Sequence, residues 1–172
     1  MSETLREQCY YGCLFCVTGR EEEVSRELER RMGVRAIAPV RQHYFRRQGS
    51  FEVLEDRVFP GYVFFASDDP DIPVQQLSLV ERAIRVIRYD AESWALQGDD
   101  ARLAERLFKC GGVIELSRAR FVDGRLRILD GFLKPYENDI RKVDRRHRVA
   151  MVKTRINDRE VEMWLGYYLD EE

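Results

Sequence analysis

Val58-Phe59-Pro60-Gly61-Tyr62-Val63-Phe64-Phe65 reads as an aromatic strand entered through a Pro-Gly turn. Proline fixes φ, glycine permits the bend, and the aromatics that follow suit a pleated, half-buried surface. A second segment lies further along: Leu126-Arg127-Ile128-Leu129-Asp130-Gly131-Phe132-Leu133-Lys134, continued by Ile140-Arg141-Lys142-Val143-Asp144-Arg145-Arg146-His147-Arg148. It reads as a strand, a glycine turn, a second strand and a basic hairpin tip.

Upstream of the aromatic strand, an apolar strand over 11–17 leads to Thr18-Gly19-Arg20-Glu21, whose Thr and Glu have capping-box spacing. Val24, Leu28 and Met32 recur every four residues, which predicts a helix that Gly33 stops. Residues 35–47 are extended, Gln48-Gly49-Ser50 turns the chain, and 51–58 returns as a partner strand. Beyond the strand 61–66, a short helix is predicted over 73–81, a strand over 84–89 and a helix from Asp99 or Asp100 to Phe108. This order describes an α+β domain around an antiparallel sheet with flanking helices. Gly111-Gly112 marks the boundary, giving domains at 9–110 and 113–172. In the second, short strands alternate with turns at Asp123-Gly124, Asp130-Gly131, 144–148 and Asn157-Asp158, as in a small closed all-β barrel.

An apolar fraction of 44% with 35% charged residues supports packed cores and a soluble protein. The polar N-terminus and the lack of a run near the about eighteen apolar residues of a membrane span point to a cytoplasmic, non-membrane protein. The net charge of −2 conceals a segment, 118–155, with 12 Lys and Arg against 5 Asp and Glu, a local +7. Phosphate binding needs such a local field, although a solvated barrel neutralised by the acidic end would show the same count.

Catalytic chemistry has little to build on. His43 and His147 are the only histidines, and no nucleophile elbow, phosphate-binding glycine loop or paired zinc motif is present. A Cys16–His43 pair has only the possibility of spatial proximity behind it. The cluster Cys9, Cys13 and Cys16, with His43, has zinc-like composition, but residues three apart on a strand point to opposite faces. No metal or cofactor is expected, and the thiols read as buried and reduced.

The two opening segments, in this order, resemble the two halves of NusG-type transcription elongation factors: an N-terminal NGN domain and a C-terminal SH3-like barrel with a KOW motif. Thr18-Gly19-Arg20-Glu21-Glu22 resembles the family's strand-to-helix junction, and Tyr11 its first-strand aromatic. Gly12 stands where the family typically has Tyr, Phe132 where it has Pro, and Pro135 and Asn138 where it has Gly. The resemblance implies binding to bacterial RNA polymerase, at the β′ clamp helices, through Tyr11, Phe59, Pro60, Gly61 and Tyr62. It implies a gate-loop or DNA contact by Arg46 and Arg47. The basic tip is most like the specialised antiterminators called LoaP, which implies a nascent RNA hairpin held by Lys134, Arg141, Lys142, Arg145, Arg146, His147 and Arg148. Housekeeping members instead use the barrel for termination factor Rho or ribosomal protein S10. The expectation is a monomeric, non-enzymatic factor that suppresses pausing and termination. Two alternatives stand beside it: a general elongation factor whose barrel recruits proteins, and a stand-alone RNA-binding protein.

Overall fold

The computed structural model describes residues 8–73, the backbone of 83–86, and residues 93–170. The predicted helix over 73–81 and the end of the predicted strand 84–89 lie outside them. Two compact units form: Met1–Ala38 with Pro60–Lys109, and Pro39–Phe59 with Cys110–Glu172.

In the first unit, β1 (Tyr10–Cys16), β2 (Arg35–Ile37), β5 (Tyr62–Ser67) and β6 (Ala83–Val86) form an antiparallel sheet in the order β2-β5-β1-β6. The aromatic strand β5 is central, so both its faces are buried, which explains its near-continuous apolar run. Helix α1 (Glu21–Met32) packs Val24 and Leu28 onto Leu14, Cys16, Val63, Phe65 and Trp94. Gly33 ends it in the left-handed conformation that a side chain would disfavour (φ 64°). Helix α2 (Gly98–Lys109) buries Leu103, Ala104 and Leu107.

Gly12 of β1 is paired with Phe65 of β5, whose ring lies where a Cβ at position 12 would stand. The Phe65 ring thus fills the space beside Gly12, and it packs tilted at 5.1 Å against Trp94.

In the second unit, β3 (Val40–Arg47) and β4 (Ser50–Arg57) form a hairpin. Gln48 and Gly49, both with positive φ (48° and 88°), make the primed turn that suits twisted strands. β3 also pairs in parallel with β7 (Val113–Ile114), and its Val40 N–H donates to the Gly112 carbonyl at 2.9 Å. Residues 39–59 thus fall in the same compact unit as the C-terminal strands. Arg41 strengthens the link by donating to Asp56 at 2.7 Å and to the Trp164 carbonyl.

The rest of this unit is a five-stranded sheet: β8 (Ser117–Val122), β9 (Arg125–Asp130), β10 (Ile140–Asp144), β11 (Val149–Ile156) and β12 (Arg159–Leu169). The order is β10-β11-β12-β8-β9, with β12 and β8 parallel. This is the strand-rich curl of an SH3-like barrel, with β9 and β10 as its two edges. A 3-10 turn at Lys134–Asp139 bridges them in sequence. Ala119, Ile128, Leu133, Ala150, Val152, Met163 and Tyr167 fill its core. Gly131 is required: at φ 100° it lies so near Ser117 that a Cβ would come within 2.7 Å of the hydroxyl. That hydroxyl, itself buried, accepts from the Leu133 N–H at 3.1 Å and fixes the turn.

Candidate functional site: an aromatic turn and a basic barrel tip

The Phe59-Pro60-Gly61-Tyr62 turn is held by a residue forty positions away. The Glu21 carboxylate, 2% exposed, accepts from the Gly61 N–H and from the Gly19 N–H, each at 2.8 Å. Gly61 adopts φ 83° and its carbonyl accepts from the Cys16 N–H at 2.8 Å, tying the turn to the end of β1. The expected capping box is therefore replaced. Arg20 occupies the N-cap with no side-chain cap, and Glu21 turns its oxygens onto the two glycine N–H groups instead of back to Thr18. A carboxylate at a helix N-terminus is also favoured by the helix dipole.

This arrangement sends the two rings inward. Phe59 is 1% and Tyr62 6% exposed, so neither offers its ring face to a partner on the described surface. Tyr62 packs at 4.2 Å, edge-on, against Phe15. Pro60 remains exposed, Phe15 is half-buried and Val17 is exposed, so the apolar surface around this turn is theirs. Tyr11, half-buried, packs at 5.5 Å against Phe108. Burial, with Cys9 and Glu105 nearby, raises its phenol above the usual tyrosine range, against the opposing charge of Arg35. Burial likewise pushes the Cys13 thiol well up. Among the described residues no three His, Cys, Asp or Glu side chains stand together as metal ligands would.

On the β3–β4 hairpin, Arg46 lies over the Phe51 ring at 6.0 Å and Arg47 is exposed at the turn. Phe45, Phe51, Val53 and Leu54 are all exposed, an unusual concentration of apolar surface on one hairpin.

The predicted basic cluster separates into engaged and free cations. Lys134 donates to the Ile128 carbonyl at 2.7 Å and neighbours Glu137, which makes it a brace for the turn it opens. Glu137 is drawn below the usual carboxylate range: desolvation opposes this, but bonds from the Ile128 N–H, Arg127 and Lys134 outweigh it. His147 bonds Asp144 through its ring at 2.7 Å and its backbone N–H at 2.9 Å, and these contacts depress the Asp144 carboxyl. Arg145 donates to the Gly124 carbonyl at 2.8 Å and lies 4.3 Å over the Phe121 ring. Arg148 sits between the hairpin rings, 5.4 Å from Tyr44 and 5.5 Å from Phe51. The side chains of Arg141, Lys142 and Arg146 are exposed and have no carboxylate partner among the described residues. The buried Tyr167 hydroxyl has no hydrogen-bond partner among the described residues, and burial raises its pKa against the pull of Arg145 and Arg148.

Two groups were not singled out from sequence. Glu21 was read only as a helix start, because its Gly61 bond is long-range. The outward arginines of β8 and β9, Arg118, Arg120, Arg125 and Arg127, had a visible signal in their alternation with Ala119 and Leu126.

The architecture is that of a mixed α+β protein whose C-terminal strands curl into an SH3-like barrel. Residues 9–101 match the family model described as transcription termination factor nusG. A solved structure concerned with domain interaction in Thermotoga maritima NusG superimposes with a TM-score of 0.57 at 19% identity, covering 92% of this chain and 94% of that one. No curated protein matches the sequence. The chain belongs to the NusG family of transcription factors. Members of that family generally bind RNA polymerase and are not enzymes. Among the described residues no helix is long and apolar enough to cross a membrane.

Proposed function

We propose that this protein is a specialised NusG paralogue of the LoaP kind, an antiterminator that holds RNA polymerase with its N-terminal domain and nascent structured RNA with its barrel. The observation that carries this reading is the set of exposed cations Arg141, Lys142 and Arg146, without a carboxylate partner among the described residues, on a tip where Arg145, His147 and Arg148 are engaged within the protein. Unpaired exposed cations in a +7 segment gain most from a polyanion, through counterion release. Polymerase binding falls to the N-terminal domain, at the clamp helices of β′, with Pro60, Phe15 and Val17 as contact surface. Phe59, Gly61 and Tyr62 then shape that surface from within. Arg46 and Arg47 are placed toward the gate loop or displaced DNA. Bound at both ends, the factor gains effective concentration and disfavours the pause that precedes termination. Binding energy suffices for this; no covalent step is involved.

The test is titration of the full chain against structured RNA at two salt concentrations, beside Arg146→Ala and Lys142→Ala. Saturable binding that weakens about uniformly across RNAs in each variant, with a salt slope lower by about one, is expected. Absence of binding above the nonspecific level refutes the RNA assignment. The partly exposed, stacked Phe132–Tyr136 pair, 6.0 Å apart, favours the second reading, a barrel that recruits protein. Under it, Tyr136→Ala abolishes capture of Rho or ribosomal protein S10 while RNA affinity is nil from the start.

A further inference from the structure

A cleft of about 330 Å³ opens beside β9 and β10, the two edge strands of the barrel sheet. Phe121, Arg125, Arg127, Glu137, Asn138 and Arg145 are among the residues that line it. Its volume sits at the lower end of the about 300–1,000 Å³ typical of small-ligand sites, enough for one nucleotide and too little for a duplex.

Three features of its walls and of the adjoining strand β8, where Arg120 lies beside the cleft and not in its lining, are poorly explained by folding alone. Arg120 and Arg127 stand directly opposite each other across the β8–β9 pair, both exposed, an arrangement that destabilises an isolated sheet. Only Arg127 is offset by a carboxylate, Glu137 at 3.1 Å; Arg120 and Arg125 have no partner among the described residues. The Arg145 guanidinium, by contrast, is pinned at the cleft by the Gly124 carbonyl and the Phe121 ring. An ordered guanidinium plane backed by an aromatic is a surface on which an unstacked base can lie. Asn138 presents a carboxamide with no partner among the described residues, a donor and an acceptor that suit a base edge.

We infer that this cleft receives one unpaired nucleotide of a structured RNA. Its base lies against Arg145 and is read by Asn138, and the flanking phosphates rest on Arg120 and Arg125. This deepens, and rests on, the RNA-binding reading of the barrel tip. The free cations of the tip grip the stem backbone without regard to sequence, whereas the cleft selects RNA that offers a loop or bulge.

The experiment uses the full chain with a stem–loop RNA carrying 2-aminopurine in its loop, beside the same stem as a blunt duplex. The stem–loop is expected to bind about tenfold more tightly, with a change in 2-aminopurine emission. Asn138→Ala and Arg125→Ala should each remove that preference and the emission change; thermal melts establish that both variants fold. Arg146→Ala should weaken both RNAs equally. Equal affinity for the two RNAs, or an unchanged preference in both cleft variants, overturns the cleft assignment. If Arg146→Ala still weakens both RNAs in that case, the tip reading survives it. If neither RNA binds, the two readings fall together. Binding of free AMP that depends on Arg125, with no loop preference in RNA, also overturns the proposal and marks a mononucleotide site.

Discussion

Replacing Glu21 tests the organisation of the aromatic turn most directly. Its buried carboxylate is the acceptor for two backbone donors, Gly19 and Gly61, each at 2.8 Å. Hydrogen bonds to a charged group contribute about 1.5–3 kcal/mol each, and a buried donor left without an acceptor costs about as much. In Glu21→Gln one oxygen survives while the amide N–H₂ faces the other donor, so one bond is lost, at about 2 kcal/mol. Glu21→Ala orphans both donors and should cost about twice that, about 4 kcal/mol. Trp94, 2% exposed in the core of the same unit, reports the transition by fluorescence once Trp164 is replaced by Phe. With a urea dependence of about 2 kcal/mol per molar, the midpoints should fall by about 1 M for Gln and about 2 M for Ala. If Glu21 were only a solvated charge at a helix start, each variant would cost about 0.5 kcal/mol and the loss would shrink in salt. That smaller, salt-sensitive pair of shifts would refute the clamp.

Three further outcomes follow from the geometry. Gly12→Ala should destabilise the first unit by about 2 kcal/mol, because the added methyl meets the Phe65 ring. In a double-mutant cycle with Phe65→Leu, read by urea unfolding, the combined loss should be smaller than the sum; additivity would deny the contact. Gly131→Ala should cost the barrel about 3 kcal/mol, from strain at φ 100° and overlap with Ser117, seen as a lower melting temperature; an unchanged melt would count against the turn geometry. Glu137 has a depressed folded-state pKa, so its stabilisation is present above the unfolded carboxylate value of about 4.3 and is lost as pH falls through the folded value. The melting difference between the protein and Glu137→Gln should therefore hold steady above about pH 5 and close in stronger acid. A difference that persists undiminished to about pH 2 would contradict this.

Local pattern was enough for several elements. The spacing of Val24, Leu28 and Met32 found α1, Gly33 its end, and Gln48-Gly49 the hairpin turn, because each depends on neighbours in sequence. Tertiary context decided the rest. The resemblance implied a polymerase contact for Phe59 and Tyr62, whose rings are buried at a turn that the long-range Glu21–Gly61 bond holds. The grouping of 39–59 with the C-terminal strands depends on pairing between Val40 and Val113, which no local motif announces. The basic character of 118–155 was plain as a count, but a count does not separate Lys134, braced against Ile128, from Arg146, whose exposed side chain has no carboxylate partner among the described residues. Nor does it place Arg120 opposite Arg127; that needs the strand register.

The open edges of the barrel have a consequence apart from recognition. Among the described residues no strand pairs with the outer sides of β9 and β10, the kind of border along which chains add to one another, although Glu137 and Lys134 engage the Ile128 N–H and carbonyl of β9. Arg125 and Arg127 line one border, Arg141 and Lys142 the other, and their mutual repulsion keeps a second copy from docking there. Stripping these charges should therefore make the protein prone to self-association at high concentration. The same exposed cations that the proposed function gives to a polyanion would then also act against self-association.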